Sequence, residues 1–280
     1  LISDYFAPLR DECGWGVNSH YVRAAMSGIH PTFIQELLSN TAYPPLEIDA
    51  AIDVLETSRA KRFSKERLNE ATAFVELVES PKSDWNQTDL FGGKRVLLVG
   101  SGSSLVTHSD ALQALASQND VFVLAANLGA GFPSELVDAH IACHPLRIIA
   151  DSQAYPTLDK PLIVPQELLP ADVLNSLLDE GKLLNLGLRV SPTNDVGAEP
   201  GLIELPKAQV LAYSLVACLS GGALEVMLAG FDGYSAEDPR RADEQILVDA
   251  VLELGLQGKV SAVTPTRYSL PVSSVYGILR

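Results

Sequence analysis

Cysteine is scarce in this chain. Cys13, Cys143 and Cys218 are the only three in 280 residues, far apart, with no CxxC or Cys/His ligand spacing. A disulfide framework and a structural zinc site are therefore excluded as organising devices, no metal site is expected, and a reducing cytoplasm is the compartment that fits. Long apolar runs are also lacking. A stretch such as Leu211–Leu219 is interrupted by Tyr213 and Ser214, and none approaches the roughly 18–20 residues that a membrane helix needs, so no membrane partner is expected. The third scarcity is positive charge: 20 Lys and Arg stand against 35 Asp and Glu, a net charge of −15. Residues 1–94 carry nine basic and fourteen acidic side chains, and residues 95–280 carry eleven and twenty-one. Nucleic-acid backbones are held by clustered Lys and Arg, so neither half is a nucleic-acid surface. A small anion remains an option if backbone amides do the binding. The opening LISDYFAPLRDECGWG has no basic start and no apolar core of a signal peptide. Its lack of an initiator Met points to a piece of a longer polypeptide.

What is present is an ordinary globular balance, 47% hydrophobic and 20% charged, arranged in two unlike halves. The first reads as helical. Phe33, Ile34, Leu37 and Leu38 recur at helical spacing in Pro31–Asn40; a second stripe runs through Pro45–Ser58 and a third through Ser64–Val78. Ser80–Asp84 breaks the pattern, and Asp89–Gly93 reads as a linker. From Lys94 strands and helices alternate. Strands are expected at Arg95–Val99, Val121–Ala125, His140–Cys143, Leu162–Val164, Leu183–Leu188, Glu225–Ala229 and Val260–Val263. Helices are expected at Ser109–Ser117, Asp172–Glu180, Gln209–Leu219 and Asp243–Leu254. Alternation of this kind implies a parallel sheet covered on both faces. The expected fold is thus α/β: residues 1–88 form a small all-helical domain, and residues 89–280 a doubly wound, mainly parallel, Rossmann-like domain.

The sharpest local signal is the passage Val96–Leu105, VLLVGSGSSL. Gly100 and Gly102 allow a tight turn and close approach of a ligand, and Ser101, Ser103 and Ser104 add hydroxyl donors. The loop leads into a helix start, where unpaired N–H groups favour an anion. It contains no lysine and so is not a Walker loop, and Leu105 stands at the third glycine position of the dinucleotide fingerprint. An ordinary glycine-rich turn is the competing reading. Ligands of open α/β sheets sit beyond the carboxyl ends of the strands. That rule nominates Asn127 as a ribose or base contact, with a turn residue as the alternative. It nominates His144 as a general acid or base, with a plain loop histidine as the alternative. Arg147, Asp232 and Tyr234 lie at similar positions, Asp232 within Gly230–Tyr234 being the best carboxylate. Ser191–Asp195 reads as a polar loop or lid.

The pieces VLLVGSGSSL, VFVLAANL and AYSLVACLSGGALEVMLAGFDGY, in that order, resemble the Rossmann-like domains of the bacterial sialyltransferase and MptE-like (pterin diphosphokinase-like) group. The resemblance implies nucleotide or nucleotide-sugar binding and carries over to Gly100, Gly102, Ser103, Ser104, Asn127 and Asp232. No residue matches a transferase's catalytic histidine. A second resemblance comes from Cys13–Gly16, Ile29–Leu38, Ala60–Lys65, Ala229–Tyr234 with Asp238–Arg240, and Thr264–Tyr268. These look like the region that follows the barrel in bacterial proteins of the 4-hydroxy-2-oxovalerate aldolase (HMG-CoA-lyase-like) group. That likeness implies a parent lyase whose barrel and divalent-metal site lie before Leu1, so the aldol chemistry is not expected in this stretch itself.

Three readings of function follow. The leading one is a C-terminal module of an aldolase-like enzyme of carbohydrate metabolism, holding a phosphate-bearing small molecule of the nucleotide or nucleotide-sugar type. Its helical half would pack on the barrel or on a second copy through Trp15, Tyr21 and Phe33. The second is a glycosyl- or phosphotransferase acting on a nucleotide-activated donor, with His144 as its base. The third is a non-catalytic oligomerisation or docking domain whose glycine loop binds nothing.

Overall fold

A computed structural model describes residues 87–280 except 130, 145–147, 149–150, 152–153, 170–173, 175–176, 178–181, 191–195, 237–239, 256–257 and 280. The expected helical domain, with Trp15, Tyr21 and Phe33, lies outside the described residues, as do Arg147, the segment 191–195 and most of the expected helix at 172–180.

The domain is α/β, built on a seven-stranded sheet with helices on both faces. Its strands are β1 (Arg95–Val99), β2 (Val121–Ala126), β3 (Ala139–Ile141), β4 (Leu162–Val164), β5 (Leu183–Asn185), β9 (Glu225–Ala229) and β10 (Val260–Ala262). They stand in the order β10-β9-β1-β2-β3-β4-β5, and every neighbouring pair is parallel. A separate three-stranded sheet joins β6 (Gly187–Val190), β7 (Gly197–Glu199) and β8 (Leu202–Leu205) in the order β6-β8-β7, with β7 antiparallel to β8. The helices are α1 (Thr88–Phe91), α2 (Ser103–Thr107), α3 (Ser109–Ala116), α4 (Val210–Ser220), α5 (Arg240–Glu253) and α6 (Val275–Ile278).

Residues alternate across a strand with period two, so a strand covered on both sides must be apolar throughout. In β1, Val96 and Leu98 join the core beneath α4 and α5, with Phe122, Leu124, Val226, Leu228, Leu215 and Val251. Leu97 and Val99 face the opposite core, with Val123, Ala125, Met227, Leu112 and Leu115 of α3 and Val275 of α6. Helix α4 is buried from Leu211 to Cys218, which explains a sequence apolar all round. Its first turn is capped by Gln209, whose Oε1 accepts the Ala212 amide at 2.5 Å. The same Gln209 donates through Nε2 to Glu244 Oε2, and Lys207 Nζ lies 3.3 Å from Glu244 Oε1. Lys207 and Glu244 are both buried.

Four expectations are corrected. Asp89–Gly93 is no free linker: Thr88–Phe91 makes a helical turn, and Phe91 is fully buried, its ring edge-on to Phe122 at 5.6 Å. The expected strand Leu183–Leu188 is two strands in different sheets, because the chain changes sheet at Leu186. Strands β7 and β8 were missed; GAE and LIEL between Gly and Pro residues are too short to show a period. A helical turn, α2, directly follows the glycine loop. Among the described residues no helix is long and apolar enough to cross a membrane.

Candidate functional site

The order of the sheet reverses between β1 and β9. From β1 the chain builds outward through β2 to β5, and the strands on its other side, β9 and β10, come last. The helix after β1, α3, lies on one face and the helix after β9, α5, on the other. The two loops therefore part at the carboxyl edge, and a crevice opens there, as in other doubly wound sheets. A cavity of about 320 Å³ occupies it, lined by Ser103, Ser104, Thr107, His108, Asp232, Pro265, Thr266 and Arg267. Among the described residues no cluster of three or more His, Cys, Asp or Glu is placed to hold a metal ion.

Asp232 organises the crevice. Its Oδ2 accepts the Ser104 amide at 3.1 Å and the Ser103 hydroxyl at 3.0 Å, and its Oδ1 accepts the Ser104 hydroxyl. Ser104 Oγ also lies 3.0 Å from Thr264 Oγ1, which accepts the Gly230 amide at 3.0 Å. Since Ser104 has one proton and the carboxylate takes it, the proton between the two hydroxyls is that of Thr264. Partial burial works to raise the Asp232 carboxyl; the hydrogen bonds from Ser104 and Ser103 outweigh it and hold the group below the ordinary carboxylate range.

Three of the amides expected to stay open for an anion are thus satisfied inside the protein. The Gly100 N–H donates to Ala229 O at 2.8 Å, Gly102 N–H to Gly230 O at 2.7 Å, and Ser104 N–H to Asp232. The negative charge favoured at this helix start is the protein's own carboxylate. The glycines are explained in the same way. A Cβ on Gly100 would stand 2.5 Å from Gly230 O, and one on Gly102 2.5 Å from the Asp232 carboxyl carbon. Their missing side chains make room for the neighbouring loop, and not for a ligand in the first instance.

The nominated residues divide accordingly. Ser103, Ser104 and Asp232 line the cavity; Gly100, Ser101 and Gly102 do not. Asn127 turns the chain after β2 with φ 54°, a left-handed conformation that Asn tolerates. Its amide donates to Ile141 O at 2.8 Å, and its carbonyl accepts His140 Nδ1–H at 2.9 Å. It does not line the cavity, and neither does His144. His144 follows β3, which is two strands from β1 and three from β9, or about 10 Å and 14 Å at about 4.8 Å per strand. Its own carbonyl accepts the Ile148 amide.

Thr107, His108, Thr266 and Arg267 were not foreseen. Arg267 is tied in by its amide, which donates to Asp232 O at 2.9 Å, and by Nη1, 3.2 Å from Gly233 O. Thr266 donates to Phe231 O at 2.7 Å. His108 Nδ1 is 3.2 Å from the Tyr276 hydroxyl, the two rings meeting edge to face. The carboxyl-edge rule applied to β10 would have nominated Thr264–Arg267; nothing in the sequence marks His108. No protein-family model matches the chain, and no curated protein matches it.

Proposed function

We propose that residues 89–280 are a binding module for a nucleotide or nucleotide-sugar-type ligand, seated in the crevice between β1 and β9. One observation carries this reading: a cavity of about 320 Å³ at the strand-order reversal, walled by hydroxyls, one carboxylate, one guanidinium and one imidazole. That volume falls within the range of small-molecule sites, about 300–1,000 Å³. The polar groups are held by backbone and side-chain hydrogen bonds before any ligand arrives, which lowers the ordering cost of binding. Because Asp232 already fills the helix start, the phosphate of the ligand belongs on the Arg267 side of the crevice.

The motif likeness of Thr264–Tyr268 and Ala229–Tyr234 to aldolase-like bacterial proteins supports a wider proposal, in which this module follows a catalytic barrel and serves it as a second site. The coding sequence upstream of Leu1 tests that part: strands of a barrel are expected there, and their absence sinks it. The binding reading is tested by thermal shift with CMP, CDP, UDP, ADP, NAD and sugar nucleotides. A ligand at 100 times its Kd should stabilise the fold by about 2.7 kcal/mol. Silence across the whole panel would remove the proposal.

A further inference from the structure

The walls of the cavity are unequal, and the inequality restricts the ligand. Eight residues line it, from α2 and its junction with α3 and from the two loops that follow β9 and β10. Among them Asp232 is the only carboxylate and Arg267 the only permanent cation. Arg267 is exposed, and its guanidinium is anchored through Nη1 to Gly233 O. A guanidinium carries five N–H donors, so several remain for a ligand, arranged as the planar fork that suits phosphate or carboxylate oxygens. His108 spends Nδ1 on Tyr276, which leaves Nε2 as its second polar atom. The hydroxyl protons of Ser103, Thr107 and Thr266 are already given to Asp232 Oδ2, Ser103 O and Phe231 O. The donor set open to a ligand is therefore the four remaining guanidinium N–H groups of Arg267 with Nε2–H of His108 when its Nδ1 accepts from Tyr276, one more than the roughly four acceptor positions of a carboxylate. A phosphate, with three peripheral oxygens, matches it better.

Asp232 sets the other end. A carboxylate offers about four acceptor positions, and three are taken by Ser103 Oγ, Ser104 N and Ser104 Oγ. One remains. It repels phosphate and accepts a single hydroxyl proton. No ring capable of stacking a base lines the cavity apart from the His108 imidazole, which is already packed against Tyr276. The volume, about 320 Å³, stands at the lower end of small-molecule sites, which span about 300–1,000 Å³.

We infer that this site recognises a sugar phosphate unit, with the phosphate on Arg267 and His108 and one sugar hydroxyl on Asp232, and leaves any nucleobase outside. The inference rests on the binding reading above and adds that the base is not read. Calorimetric titration of the full chain with ribose 5-phosphate, AMP, CMP, UMP, free ribose and gluconate tests it. The three nucleotides should agree within about threefold, and ribose 5-phosphate should bind comparably. Ribose and gluconate should be at least tenfold weaker. Arg267→Gln, an exposed change that leaves the core untouched, should weaken every phosphorylated ligand tenfold or more. Asp232→Asn should weaken sugar phosphates but leave inorganic phosphate unaffected or better bound. Nucleotide binding that differs tenfold between bases, or that survives Arg267→Gln unchanged, overturns the inference while leaving the module a nucleotide binder. Gluconate binding as tightly as ribose 5-phosphate overturns the phosphate assignment. No binding by any phosphorylated compound overturns this inference and the broader reading together.

Discussion

Consider alanine at position 102. Gly102 has φ −69° and ψ 158°, values any residue adopts, so Gly102→Ala carries no dihedral strain. By restricting the unfolded chain alone, such a change stabilises by about 0.4–1 kcal/mol. Here the added Cβ would lie 2.5 Å from both Cγ and Oδ1 of Asp232 and 2.7 Å from Gly230 O. The carbonyl belongs to the backbone and cannot step aside cheaply. The carboxyl group is short and is held by Ser103 and Ser104, so moving it gives up charge-assisted hydrogen bonds. Overpacking of this kind costs about 1–3 kcal/mol. A hydrogen bond to a charged group is worth about 1.5–3 kcal/mol when fully buried, and less at this partly exposed carboxylate. Together a loss of about 3 kcal/mol is expected, which at roughly 2–4 °C per kcal/mol lowers Tm by about 6–12 °C. Differential scanning calorimetry measures it. In an Asp232→Ala background the cost of Gly102→Ala should fall by half or more, since the carboxyl obstacle is gone and only Gly230 O remains. An unchanged or raised Tm for the single variant would show that the two loops are not in contact and that Asp232 does not fill the helix start.

Three further outcomes follow from the same structure. The Asp232 carboxyl is held below its unfolded value of about 3.9, so its contribution is complete above that pH and is lost as pH falls towards the folded value. Asp232→Asn should accordingly lose less stability than the parent between about pH 4 and pH 2 in urea titrations. His140 is depressed by burial, against which its hydrogen bond to Asn127 O acts weakly. A lowered base leaves the folded state short of protons, so stability declines as pH drops below about 6.5, and NMR titration of the ring should give a midpoint below that value. Glu244→Ala removes the carboxylate 3.3 Å from the buried Lys207 Nζ and the partner of Gln209 Nε2; a loss of about 1–3 kcal/mol is expected by chemical denaturation, and an unchanged stability would contradict the assignment of this pair as a buried contact.

Local composition was enough for the fold class of residues 95–280 and for the apolar strands of the main sheet, but not for β7, β8 or the change of sheet at Leu186. Strands covered on both faces must be apolar along their whole length, and RVLLV, VFVLAA and EVMLA announce this without any help from neighbours. The same local grammar placed Asp232 at the end of a strand and the glycine loop at the end of another. What it could not carry was pairing. That β9 lies beside β1, 130 residues away between Arg95 and Glu225, is decided by sheet order, and only this adjacency puts Asp232 onto Ser104 and converts an apparent anion cradle into a filled one. The Gly102 signal was legible, yet its meaning was not, because a glycine records that something comes close and leaves unnamed what does. Arg267 and His108 reach the crevice from β10 and from the junction of α2 with α3. Arg267 was within reach of the carboxyl-edge rule applied to β10, but His108 has no local signature, since a side chain in a cleft is defined by the elements around it and not by the residues beside it in the chain.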